Sequence, residues 1–261
     1  MPATNLTADL YFVSALRAGA DRSRTRLLPL ADLKEPLAPH GRFAQRMLLA
    51  LQSLGYIEPE LSLSWADDWL DSRDWLSHGF ENVSWRILRS AGASNEALHV
   101  WGDELDTSPG ALRTWAAVWQ DLALAEVAEY ARCSLADTGF NPNWATDAAE
   151  SLQAGLTKFS VHQIMYLVHI ALRSLALEQR RLLPRGGKPG HAFSAAIRNY
   201  VRRASTEGWV IRAPSHPLDL PRSAITVIFA EMVTGLGDRY YTERPSLDAL
   251  TRSVASRQTQ H

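Results

Sequence analysis

Between Ser108 and Gly139 the chain reads as one uninterrupted helix, and this stretch limits the fold more than any other feature. Ser108 followed by Pro109 is an N-cap with proline in the first turn. Leu112, Trp115, Ala116, Trp119, Leu122, Ala123, Val127, Tyr130 and Leu135 then recur at spacings of three and four, a helix of about eight turns. Such a helix is expected to be the spine of a helical body.

The same periodicity continues on both sides. Phe43, Met47, Leu48, Leu51 and Leu54 mark a helix from Gly41 that stops at Gly55. Ser64 caps a stretch whose inner side is Trp65, Trp69 and Leu76, and a shorter helix covers Trp144 to Leu156. Ser160 and Gln163 form a capping box ahead of Ile164, Val168, Ala171, Leu172 and Leu175. Further helices are expected from Ala192 to Glu207, closed by Gly208, and from Ser223 to Thr234. Alternating or β-branched runs are missing between these segments, which excludes a strand-rich or Rossmann architecture. The fold class expected is all-α, an irregular multi-helix bundle with little or no sheet, at most a short hairpin or wing. One helical domain over 1–261 is expected; a division, where there is one, falls near 139–145 and separates a Trp-rich acidic lobe (1–140) from an Arg-rich lobe (141–261).

A single cysteine among 261 residues excludes an internal disulfide framework and any paired-cysteine zinc site. Met1 to Leu16 lacks the pattern of a secretory signal, and no apolar run reaches membrane-spanning length. A cytoplasmic chain is therefore expected, with no membrane partner.

The formal net charge of −1 hides strong segregation. Residues 17–46 hold seven basic and three acidic groups, 58–150 hold five basic and 17 acidic, and 173–222 hold ten basic and three acidic. Eight of the nine tryptophans lie between Trp65 and Trp144, inside the acidic part.

The basic C-terminal segment is the leading candidate site. Arg198 and Arg202 share a helix face, Arg203 is adjacent, and the loop before that helix carries Arg185 and Lys188. Glycine-rich basic backbone running into a helix N-terminus suits phosphate, and grouped arginines suit a nucleic-acid backbone. The loop lacks the spacing of a nucleotide-binding P-loop. The competing reading is that these arginines pair with the chain's own acidic region.

His162, Tyr166, His169 and Arg173 lie on one stripe of an otherwise apolar helix, a candidate polar pocket in which histidine supplies acid–base chemistry and Arg173 orients an anion. The plainer reading is a hydrogen-bonded seam between helices. Asp67, Asp71 and Asp74 share a helix face and offer an acidic surface to a basic protein partner, as an immunity or antitoxin protein would; an ordinary solvated face reads the same way. Glu126 and Glu129 lack the Glu-x-x-His partners of a carboxylate-bridged metal bundle, and Cys133 reads as a small core residue. Common catalytic signatures are absent, and no cofactor or metal is expected.

One local pattern has a different bearing. Leu48 to Ile57 is a helix end, a glycine and a short apolar turn, as found after the third helix of winged-helix modules, and the flanking 17–46 stretch is basic. The function expected is a non-catalytic interaction or regulatory role, with another protein as partner and nucleic acid engaged through the Arg-rich C-terminal surface. The alternatives are a neutraliser of a basic protein and an enzyme built on His162, His169 and Arg173.

Overall fold

The computed structural model describes residues 5–60, 79–88, 106–182, 189–212, 217 and 220–258. Helices dominate and are joined by one small antiparallel sheet, the class that the periodicity implies. The chain divides into two compact units, 1–114 with 221–235 and 115–220 with 236–261. The division between 114 and 115 falls inside the long helix.

The first unit opens with α1 (Leu6–Gly19), whose first turn is capped by Asn5: its Oδ1 accepts from the Ala8 N–H at 3.1 Å. Leu10, Phe12, Val13 and Ala15 are buried. Strand β1 (Arg26–Leu27) and a 3-10 turn (Leu30–Asp32) lead to α2 (Gly41–Ser53), where His40 Nδ1 accepts from the Phe43 N–H at 3.1 Å. Phe43, Ala44, Met47, Leu48 and Leu51 form its buried side. The helix stops because Gly55 takes a left-handed φ of 73°, which lets the Tyr56 N–H reach back to the Leu51 carbonyl at 2.9 Å.

β2 (Ile57–Glu60) and β3 (Ser84–Ile87) then pair antiparallel, and β3 also pairs with β1, giving the order β1-β3-β2. The register sets Leu27 opposite Trp85 and Trp85 opposite Pro59. Leu27, Trp85 and Ile57 are buried, while Arg26 and Arg86 are exposed on the other face.

The unit is closed by residues from far along the chain. Ser223 caps α8 (Ala224–Val227), and the first helical N–H groups, of Ala224 and Ile225, donate to the carbonyls of Pro36 and Leu37 at 2.8 and 3.2 Å. The loop before α2 thus satisfies donors that a helix start leaves open. The expected helix from Ser223 to Thr234 changes character part-way, since Ile228–Val233 is a π-helix. Its cause is at Thr234, whose N–H and hydroxyl both donate to the Phe229 carbonyl, at 3.0 and 2.8 Å, so the turn closes over five residues.

The second unit is built on α3 (Pro109–Asp137) from Trp115 onward; Trp115, Trp119, Leu122, Ala123, Val127, Ala131 and Leu135 are buried as the periodicity predicts. The expected helix from Trp144 to Leu156 is broken at Ala148 into α4 (Trp144–Asp147) and α5 (Ala149–Leu156). The Ser160–Gln163 capping box forms at the start of α6 (Val161–Leu182), with Ser160 N–H to Gln163 Oε1 at 3.0 Å and Gln163 N–H to Ser160 Oγ at 3.4 Å. α7 (Pro189–Thr206) packs on α4, α5 and α6. α9 (Arg239–Thr242) brings Tyr240 and Tyr241 into the core, where Trp119 Nε1 donates to the Tyr240 carbonyl at 3.3 Å. α10 (Leu247–Gln258) follows.

Candidate nucleic-acid interface

In the first unit the outward residues of α2 are Arg42, Gln45, Arg46 and Leu49, an i, i+3, i+4, i+7 stripe opposite the buried one. Arg42 is exposed and forms no ion pair among the described residues. Arg46 is also exposed, and its guanidinium lies over the Phe43 ring, 4.3 Å from the centroid, in a cation–π contact.

The sheet beside α2 is electrostatically different. Arg26 pairs with Glu60 at 3.0 Å, and Arg86 pairs with Glu58. The cations of the sheet are thus matched by its own glutamates, whereas the first turn of α2 carries Arg42 with no acidic partner among the described residues. Arg17, by contrast, pairs with Glu35 at 3.0 Å.

Between α1 and β1, a tight turn presents Arg22 and Arg24. Asp21 organises it, accepting from Ser23 Oγ at 2.6 Å and from the Thr25 and Arg26 N–H groups at 2.9 and 3.2 Å. These bonds, the Ser23 one foremost, hold the Asp21 carboxyl below the usual aspartate range. Arg24 adopts a left-handed φ of 54° in the same turn.

The residues expected to form sites in the second unit are distributed as follows. Arg198, Arg202 and Arg203 are exposed on α7. Arg203 is engaged, with its Nε 3.0 Å from Glu207 Oε1 and its guanidinium 5.3 Å from the Trp209 ring centroid. Arg198 and Arg202 form no ion pair among the described residues. Arg185 and Lys188 lie outside the described residues. The start of α7 has a carboxylate of its own: a Cβ placed on Gly190 would meet Asp147 Oδ2 at 2.5 Å and the Trp144 ring at 3.0 Å. An internal acid thus faces the turn in which the sequence suggests a phosphate seat.

The stripe on α6 does not line one pocket. His162 is buried and its ring stacks on Tyr241, centroids 4.9 Å apart at 16°. Tyr166, His169 and Arg173 are exposed. Tyr166 instead lines an open groove of about 510 Å³ with Ile170, Trp209, Val210, Ile211 and Arg212. Asp67, Asp71 and Asp74 fall outside the described residues.

On α3, Glu129 Oε1 lies 2.6 Å from Arg132 Nη2 and 3.6 Å from Cys133 Sγ. Partial burial, reinforced by Glu129, pushes the Cys133 thiol up from its ordinary value. Among the described residues no group of three or more His, Cys, Asp or Glu side chains is placed to hold a metal. No described helix is long and apolar enough to cross a membrane.

Two features escape sequence reasoning at residue level. The stripe of α2 lies inside the basic 17–46 segment, but which arginines of that segment find acidic partners depends on strand pairing. The groove depends on how α6 meets the chain after Gly208; its only signal in the sequence is Trp209, the one tryptophan outside the acidic part. Comparison with protein-family models, with curated proteins and with solved structures finds no match for this chain.

Proposed function

We propose that the chain is a non-catalytic regulatory protein that binds duplex DNA through α2 of its first unit. The observation that carries this reading is the connectivity of that unit. A helix, a strand, a helical turn, a second long helix and two further antiparallel strands, with sheet order β1-β3-β2, follow the element order of winged helix-turn-helix modules. This chain departs from the full pattern in two respects: it has only the 3-10 turn Leu30–Asp32 and irregular chain where such modules carry their second helix, and residues 61–83, which include the 3-10 turn Phe80–Asn82, lie between β2 and β3.

The charge layout agrees with that reading. An α-helix with its side chains is about 10–12 Å across and fits a major groove about 12 Å wide. Arg42 and Arg46 project from the first turns of α2, the part that enters a groove in helix-turn-helix docking. Arginine there serves either phosphate or the guanine edge. The sheet arginines are held by Glu58 and Glu60, so the sheet contributes little net attraction.

Fluorescence anisotropy of a labelled duplex, titrated at several salt concentrations, tests the proposal. Binding is expected to weaken steeply with salt. Arg42→Ala with Arg46→Ala is expected to reduce the slope of log K against log salt by about 0.9 for each phosphate that the variant no longer neutralises. Absence of binding at low salt refutes the proposal. A slope unchanged by these substitutions but reduced by Arg198→Ala with Arg202→Ala moves the interface to α7.

A further inference from the structure

The groove on the second unit has no part in DNA binding as proposed, and its construction is unusual for solvent-facing chain. Its wall is Trp209 to Arg212, a segment without regular secondary structure. The segment is nevertheless anchored at both ends. The Trp209 N–H donates to the Ala204 carbonyl at 3.0 Å as α7 terminates. Gln163 Nε2 donates to the Ile211 carbonyl at 3.0 Å, and the same Gln163 side chain receives the Ser160 N–H in the capping box of α6. Ile211 is buried, whereas Val210 faces outward at 92% exposure.

Trp209 is fixed as a platform. Its indole Nε1 donates to Glu207 Oε2 at 2.9 Å, Glu207 is held by Arg203, and the Tyr200 ring lies 6.3 Å away. The one polar atom of the indole is engaged outside the groove. What remains for the groove is aromatic surface from Trp209 and Tyr166 and aliphatic surface from Ile170, Val210 and Ile211. Among the described residues Arg212 is the single charged one that lines the groove; it is exposed and forms no ion pair with another of them. A volume of about 510 Å³ falls in the range of small-molecule sites, which are mainly apolar with a few placed polar groups.

We propose that this groove binds a small aromatic carboxylate, with its ring against Trp209 and Tyr166 and its carboxylate on the Arg212 guanidinium. Aromatic walls select a planar apolar body, and a lone arginine at the edge selects an anion and rejects a cation. A planar fork also favours carboxylate over a spherical ion, because two parallel N–H donors match two oxygens.

The test uses the full chain and 2-naphthoate as probe, with 2-naphthalenemethanol as its neutral counterpart, followed by isothermal titration calorimetry. Saturable binding of naphthoate is expected with Kd of about 1 mM or tighter, and the alcohol is expected to bind at least about tenfold more weakly. Arg212→Met is expected to cost naphthoate about tenfold and to leave the alcohol unchanged. Val210→Glu, at an almost fully exposed side chain, is expected to cost naphthoate about tenfold by like-charge repulsion without altering the melting temperature. Arg113→Met, at an exposed arginine of α3, is the control and is expected to leave naphthoate binding unchanged. Absence of saturable binding, equal affinity for the alcohol, or naphthoate binding indifferent to Arg212→Met overturns the proposal. So does a protein partner that covers Trp209 and Val210 while naphthoate fails to bind. DNA binding, measured separately, is independent of each of these outcomes.

Discussion

Removing one oxygen from Tyr56 is expected to destabilise the first unit by an amount that can be estimated in advance. The Tyr56 hydroxyl donates to Asp9 Oδ1 at 2.9 Å, and Asp9 is only 5% exposed although it lies in the first turns of α1. A buried carboxylate that loses a donor bears the cost of its incomplete solvation, and hydrogen bonds to charged groups are worth about 1.5–3 kcal/mol. Tyr56→Phe keeps the ring and its edge-on packing against Phe12, centroids 5.2 Å apart at 74°, so the packing contribution stays nearly constant. Asp9 has further interactions that persist, which places the expectation near the lower end, about 1.5 kcal/mol. Urea unfolding followed by circular dichroism measures the change. Combining Tyr56→Phe with Asp9→Ala in a double-mutant cycle isolates the pair, and the double variant is expected to be less destabilised than the sum of the two singles. A Tyr56→Phe effect within about 0.5 kcal/mol of zero, the range of ordinary surface substitutions, refutes the reasoning.

Three further outcomes follow from local geometry. Gly55→Ala forces a side chain into a φ of 73° and is expected to cost about 1–2 kcal/mol of stability in the same urea assay. The depressed Asp21 carboxyl contributes stability that is present above its unfolded value near 3.8 and is lost as pH falls through its lower folded value; Asp21→Ala is expected to flatten this acid limb in melting curves taken between neutral and acid pH. Cys133, with its thiol raised by burial, is expected to react with a disulfide reagent at pH 8 more slowly in the folded chain than in urea, and equal rates contradict the placement.

The legibility of this fold in its sequence varies with the range of the interactions involved. The spine helix can be read because its buried positions repeat every three or four residues and its ends carry Ser108-Pro109 and Gly139, all local signals. The capping box at Ser160 and Gln163 is equally local. The sheet leaves almost no signal, since β1 has two residues and β2 and β3 four each, too few for an alternation to stand out. The π-helix before Thr234 is unreadable for a different reason. One threonine donating twice to the Phe229 carbonyl decides it, and sequence does not show which carbonyl a hydroxyl will find.

Candidate sites divide along the same line. The Arg203–Glu207 pair is a four-residue spacing on one helix and is open to inspection. The approach of Asp147 to the start of α7 comes from a different helix, so a loop that looks like an open phosphate seat has an acid beside it. The histidine stripe on α6 fails as a pocket because burial follows neighbours rather than the helix's own face. Tyr241 covers His162, whereas His169 is exposed. Segmental charge points to where cations are, but pairing across the sheet determines which of them remain available.

Site-specific photo-crosslinking tests the central claim most directly. A photoreactive residue is placed at Arg42 in one variant and at Arg198 in another, and each is irradiated with a labelled duplex at low salt. Strong crosslinking is expected from position 42, removed by unlabelled duplex and by high salt, with weak or no crosslinking from position 198. Crosslinking from position 198 with none from position 42 contradicts the claim that α2 is the DNA-binding element.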